Sequence, residues 1–329
     1  MRVSFPLILI CTALVVSLGA CQDSGSDTDD TPDTDDPTVM SDSAHTMSGP
    51  ITISPADPGA AVPDAKLTVR YPAPDAVLKG GDSVRVSVSL AGVELMAPTL
   101  GEQTKGVAYS PDGQHIHVII DDKPYMAMYS PDSFSVGILA PGAHSFRAFP
   151  SRSWHESIKT PGAFVAYTFY VGEKKGEPAF KQGDPLLTYS RPKGEYKGKD
   201  AAKILLDFYL ANVELGPDKH KVRVSVDGTE IAKVDQWIPY YIENMPDGEH
   251  TVKLELLAPD GSVVPGIYNT AERKITVNAA ATAAPAPATG DTGKPTSDAS
   301  HDHNDMHGTP VPGATPGTPG GAATLPLGR

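Results

Sequence analysis

Hydrophobic residues in the middle of this chain recur at every second position. Val84, Val86 and Val88 alternate with Arg85 and Ser87, and Val222, Val224 and Val226 alternate with Arg223 and Ser225. Val252, Leu254 and Leu256 do the same with Lys253 and Glu255. A period of two belongs to strands with one buried and one wet face, and it predicts antiparallel sheets. Turn residues punctuate the runs at Pro141-Gly142, Asp227-Gly228, Asp247-Gly248 and Asp260-Gly261. No long stretch carries a helical period.

The pattern occurs twice. Leu139-Ala140-Pro141-Gly142-Ala143-His144 returns as Met245-Pro246-Asp247-Gly248-Glu249-His250, an offset of 106. The same offset carries Val118-Ile119-Ile120-Asp121 onto Val224-Ser225-Val226-Asp227. Leu90-Ala91-Gly92-Val93-Glu94-Leu95 matches Leu210-Ala211-Asn212-Val213-Glu214-Leu215. In-order matches of this kind indicate a duplicated unit, with copies at 66–172 and 185–278 and a linker at 173–184. About seven short strands in ~100 residues, with turns every 8–12, resemble an immunoglobulin-like or fibronectin-like β-sandwich. The expected fold is all-β: two tandem Ig-like antiparallel sandwiches between disordered terminal segments.

The amino terminus carries an address. Met1-Arg2 is followed by an apolar run, Phe5 to Gly19, too short to span a bilayer as a permanent helix. The run closes on Leu18-Gly19-Ala20-Cys21 and resembles the lipobox of bacterial lipoproteins. That resemblance implies a signal peptide at 1–20, a diacylated thiol on Cys21 and membrane attachment through its acyl chains. Gln22, rather than an aspartate, follows Cys21, which by the same resemblance favours the outer membrane of a cell envelope. Cys11 lies in the removed segment, so the mature domains contain no thiol and no disulfide.

Charge separates tails from body. Residues 22–64 hold ten Asp and no Lys or Arg, which predicts a solvated acidic tether over 21–65 or a surface-export signal. Residues 279–329 form a second low-complexity tail rich in Ala, Pro, Gly and Thr. Residues 66–278 carry 24 basic and 26 acidic side chains. That balance is not a nucleic-acid footprint.

Candidate chemistry lies where the copies differ. His144 and His250 are shared and read as turn histidines satisfied by nearby backbone, while Asp121 and Asp227 open turns. His115 and His117 stand where the second copy has Lys221 and Arg223. Alternation puts them on the solvent side of their strand, about 7 Å apart. A two-residue loop at Asp122-Lys123 would pair His117 with Met128 and Ile119 with Met126. That register gathers His115, His117, Met126 and Met128 on one face, a donor set favouring copper. His155, beside Trp154, is a further contributor. A second metal candidate is the tail run His301, His303, Met306 and His307. Copper–zinc superoxide dismutases and cupins also use a His-x-His strand. The further ligands of the former are missing here, and the cupin glycine framework is wrong. No Gly-x-Ser-x-Gly, phosphate loop or His-Glu-x-x-His occurs.

Trp237, Tyr240 and Tyr241 suggest a recognition surface for a protein or carbohydrate ligand. Segment 96–112, an insertion in the first copy, suggests a binding loop. The expectation is a lipid-anchored envelope module that acts by binding or as a structural spacer, without catalysis or a resident cofactor. The alternative is a copper or other transition-metal binder, and the third a metal-dependent enzyme on a sandwich.

Overall fold

The computed structural model describes residues 49–101 and 105–281, all within one compact unit, 44–329. Among the described residues there is no α-helix, and none of their helical turns could cross a membrane. Cys21 and the tail histidines lie outside the described residues.

Among the described residues the duplication covers every strand but the first. The first copy runs β2 (Lys66–Tyr71), β3 (Val77–Leu78), β4 (Ser83–Ala91), β5 (His115–Ile120), β6 (Met126–Met128), β7 (Phe134–Ile138), β8 (Gly142–Ser151) and β9 (Val165–Val171). The second runs β10 (Leu186–Arg191), β11 (Gly194–Lys197), β12 (Lys203–Ala211), β13 (Lys221–Val226), β14 (Thr229–Val234), β15 (Tyr240–Glu243), β16 (Gly248–Leu257) and β17 (Thr270–Asn278). Sheet order is β2-β4-β7 with β3-β9-β8-β5-β6 in one copy, and β12 flanked by β10 and β15 with β11-β17-β16-β13-β14 in the other. These are two tandem Ig-like sandwiches of identical topology.

The alternating valines do what their period predicts. Val84, Val86 and Val88 meet Ile116, Val118, Ile120, Phe146 and Phe169 between the sheets of the first copy. Val222, Val224, Val226, Val252, Leu254 and Leu256 join Phe208 and Ile242 in the second. Each core is a continuous apolar layer, the main stabilising term of such a sandwich.

Two expectations need correction here. The tether does not reach residue 65. Thr52–Pro55 forms β1, which pairs antiparallel with β15 and completes the four-stranded sheet of the second sandwich. Acidic residues are sparse here, and Ile51 and Ile53 pack on that sandwich's core. The apolar spacing therefore outweighs the composition of the segment as a whole. The chain then passes along the first sandwich, where Glu156 accepts from Gly59 N at 2.9 Å.

The second correction concerns solvent. The outer faces of β5 and β8 do not meet water, because they lie against the outer faces of β10 and β12. Ile119, Tyr125 and Phe149 of the first sandwich cluster with Tyr209 of the second, and Phe164 stacks on Tyr209 at 4.5 Å between centroids. Fully buried Asp207 accepts from Ser157 N at 3.1 Å and from Lys159 Nζ at 2.5 Å. Arg273 donates to Asp122 at 2.8 Å, and the Arg147 guanidinium lies 3.7 Å from the Tyr268 ring centroid. Burial holds the Arg147 pKa down at about 10.

Removing a carboxylate shared by the buried Ser157 amide and the half-buried Lys159 ammonium leaves the Lys159 charge without that partner in the interface. Asp207→Ala therefore lowers unfolding stability by about 3 kcal/mol, read from urea denaturation. Asp207→Asn, which keeps one acceptor, loses less.

Candidate metal site between the sandwiches

Three imidazoles converge where the sandwiches meet. His115 and His117 project from the outer face of β5, and His155 comes from the turn after β8. His115 Nε2 lies 3.0 Å from His117 Nε2 and 3.2 Å from His155 Nδ1. One ring nitrogen from each histidine lies within 4.8 Å of the other two. His115 and His117 are wholly buried and His155 nearly so.

The surroundings orient the rings. His115 Nδ1 lies 2.9 Å from Gly113 O. A carbonyl only accepts, so that nitrogen carries the hydrogen and the Nε2 lone pair faces inward. His117 Nδ1 meets Ser190 Oγ at 3.2 Å. Ser190 sits at the bulge where the β10–β12 register shifts between Tyr189 and Arg191, and a bulge re-aims a side chain in this way. A hydroxyl can donate or accept, so it accommodates either tautomer of His117. Tyr125 stacks face to face on His117 at 3.5 Å, and its hydroxyl lies 3.2 Å from His155 Nδ1.

His155 sits in a backbone conformation that side chains avoid, with φ 68°. Both copies build the same turn here. Ser151 bridges Ser157 as Leu257 bridges Val263. Arg152 N donates to Glu156 O as Ala258 N donates to Ser262 O, at 2.9 and 2.8 Å. His155 N donates to Arg152 O as Gly261 N donates to Ala258 O, both at 2.9 Å. The second copy fills the slot with Gly261, φ 85°, the residue that adopts this region freely. A histidine in a glycine slot marks a strained position of the kind that clusters at functional sites.

Electrostatics resist protonation of His117 and His155. Burial holds the His117 pKa well below 6.5, assisted by His115, Arg191 and Lys193. Burial does the same for His155, with Arg191 the leading charge. Neutral imidazoles offer free lone pairs, which metal binding requires. Three such nitrogens without a thiolate suit zinc, copper, iron or nickel.

The site differs from the expected set in its register. Ile116 pairs with Met128 and Val118 with Met126, one position away from the pairing that a two-residue loop would give. A one-residue slip turns every side chain to the other face. Met128 therefore lies in the first sandwich's core and Met126 packs on it, away from His115 and His117. The histidines face the second sandwich, not solvent, and His155 takes the place of the methionines. The aromatic set also separates. Tyr240 is a core residue, whereas Trp237 packs edge-on against Tyr209 and Tyr241 borders the Trp154 cluster. They do not form one surface.

The shared pair behaves structurally in both copies. His144 Nδ1 meets Asp121 Oδ2, and His250 Nδ1 meets Asp227 Oδ2, each at 2.7 Å. Their Nε2 atoms lie 2.8 and 2.9 Å from Ala140 O and Pro246 O. The insertion covers the site: Ser110 N donates to Ser153 O, Thr99 N to Ser153 Oγ, and Val107 packs on Trp154 and Leu205.

No protein-family model matches the sequence, and no curated protein sequence matches it. Solved structures similar to this chain include fibronectin(III)-like modules of Clostridium thermocellum CbhA, at 15% identity over 65% of this chain and 95% of that one, TM-score 0.24. The central fibronectin-III array of RIM-binding protein is 15% identical over 67% and 72%, TM-score 0.22. The N-terminal Ig1-2 module of Drosophila receptor protein tyrosine phosphatase DLAR is 9% identical over 64% and 98%, TM-score 0.18. These likenesses concern fold alone, and the strand order above carries the assignment to Ig-like sandwiches.

Unfolding returns His117 and His155 to their ordinary value near 6.5. Below that pH the unfolded chain takes up protons that the folded chain refuses. Metal-free protein therefore loses stability on acidification below about pH 6.5, by up to ~1.4 kcal/mol per pH unit for each imidazole. Denaturation midpoints measured between about pH 7 and pH 5 check this. His117→Asn should flatten the dependence.

Proposed function

We propose that this protein is a transition-metal-binding module of the cell envelope, held outside the cytoplasm by acyl chains on Cys21. The convergence of His115, His117 and His155 on one buried point carries the metal reading. Three ring nitrogens within van der Waals reach are costly in a dry interface unless protons or a metal bridge them. Here the chain also places a histidine in a glycine slot to complete the set. The function is binding, with the second sandwich closing over ligands supplied by the first.

The lipobox resemblance supports the anchor. Its residues Leu18-Gly19-Ala20-Cys21 precede the acidic segment that leads to β1. Two or more acyl chains hold a protein stably at a bilayer, where one does so only marginally.

Titration of the purified chain with copper and zinc ions should show one tight equivalent. His117→Ala and His155→Gly should each weaken it by at least ~100-fold, on the scale of losing a first ligand where lesser outer contacts cost 10–100-fold. His155→Gly also relieves the backbone, so far-UV circular dichroism should remain that of the parent. Absence of binding above that of free histidine refutes the metal reading. For the anchor, Cys21→Ala should abolish labelling by radioactive palmitate and release the protein from membranes. Labelling that persists in that variant would place the lipid elsewhere.

A further inference from the structure

Trp237 has no part in the function just proposed, yet it lines a recess of about 400 Å³ where the two sandwiches and their linker meet. Phe164 and Tyr209 line it too, together with Lys181 and Asp184 of the linker and Asn212 after β12. Clefts of this size between domains are common sites for small molecules. The aromatic wall is rigid. Phe164 stacks on Tyr209 at 4.5 Å and 10°, and Trp237 meets Tyr209 edge-on at 4.9 Å. Their polar ends are tied off, with Tyr209 Oη donating to Thr160 O at 2.9 Å and Trp237 Nε1 to Phe208 O at 3.1 Å. Phe164 and Trp237 nevertheless remain partly exposed.

Comparison of the copies shows why the recess exists. Register pairs Lys66 with Ala91 in the first copy and Leu186 with Ala211 in the second. Asp64 therefore corresponds to Asp184, and Gly92 to Asn212. Gly92 and Asn212 share a left-handed backbone, φ 73° and 59°. In the first copy the two segments touch: a Cβ on Gly92 would stand 2.6 Å from the Asp64 carbonyl carbon, a clash that glycine avoids. In the second copy a side chain spans the gap, and Asn212 Nδ2 donates to Asp184 O at 2.9 Å. The linker is thus held one amide's length from the end of β12. Its own carboxylate folds it there, Asp184 Oδ2 accepting from Lys181 N at 2.8 Å. Those bonds leave Asn212 Oδ1 and Asp184 Oδ1 as acceptors on exposed residues that line the recess.

We propose that this recess binds a neutral mono- or disaccharide, at a site separate from the three imidazoles. A pyranose ring offers an apolar C–H face and an edge of hydroxyl groups. The face matches a rigid aromatic wall. The hydroxyls, as donors, match the carboxylate and amide oxygens of Asp184 and Asn212. A purely apolar ligand would cover those acceptors without pairing them, which is costly. Lys181 and Asp184 balance in charge, so neither an anion nor a cation is favoured. Because the lining comes from both sandwiches, a bound sugar also stabilises their docked arrangement by mass action.

The test titrates the purified full chain with cellobiose, N,N′-diacetylchitobiose and p-cresol, a planar aromatic. Calorimetry should show one saturable site for a disaccharide, with p-cresol at least ~10-fold weaker, the scale of one polar contact. Either sugar supports the proposal, and the tighter of the two tells a plain glycan from an N-acetylated one. Of the two tryptophans, Trp154 is buried and Trp237 lines the recess. Bound sugar should therefore shift the emission spectrum, and Trp237→Phe should lose that shift. Asn212→Gly removes an acceptor and suits the local φ of 59°, so the variant keeps its fold. It should weaken the sugar about tenfold, with far-UV circular dichroism unchanged. No saturable binding of either sugar at millimolar concentration, or p-cresol bound as tightly, overturns the proposal. So does a sugar affinity that Asn212→Gly leaves unchanged, because the sugar then sits elsewhere. The metal-binding function stands in each of these cases, since it rests on other residues.

Discussion

The packing of one sandwich's outer sheet face on the other's governs this molecule. An Ig-like sheet normally has a dry inner face and a wet outer one. Here the outer face of β5 and β8 is dry as well, because β10 and β12 cover it. Every residue of β5 is buried, so the strand has two interiors. The inner one holds aliphatic side chains, and the outer one holds Ile119 and Phe149 together with polar groups. Those polar groups would need no partners in water. In the interface they must find them, and they do so across it: Asp207 with Ser157 and Lys159, Ser145 with Tyr268 at 2.6 Å, His117 with Ser190.

That requirement explains the form of the site. A buried polar group without a partner costs free energy comparable to a lost hydrogen bond or more. Three imidazoles placed together satisfy part of that need among themselves, and Gly113, Ser190 and Tyr125 supply the rest. Protonation is resisted by burial and by Arg191 and Lys193. The neutral, close-set state is therefore imposed by the enclosure as much as by the histidines.

The sandwich fold and the inward residues are legible because alternation and repetition are local signals. Val84, Val118 and Val224 lie where the period of two puts them. The site was half legible. His115 and His117 stand out because the second copy has other residue types there. Their partners were lost through one position of register, since nothing short-range reveals that the β5–β6 connection is longer than two residues. Alternation places His115 and His117 on the outer face of their strand, and an outer face can meet a second domain as readily as solvent. His155 did leave a trace: the offset of 106 lays it on Gly261, and a histidine aligned with a turn glycine is a conformational anomaly visible without coordinates. β1 was hidden by the average composition of its segment, although Ile51 and Ile53 already alternate.

The glycine slot reaches beyond the first sandwich. The second copy preserves the same hairpin scaffold without the imidazoles: Lys221 and Arg223 on β13, Gly261 in the turn. Among the described residues no third sandwich covers its corresponding sheet face, where Arg223 pairs with Glu255 at 2.8 Å and with Glu230 at 4.0 Å. The protein therefore contains its own blank, one scaffold with a roof and one without. Transplanting the three imidazoles onto the uncovered copy would separate what donor placement achieves in open solvent from what enclosure adds.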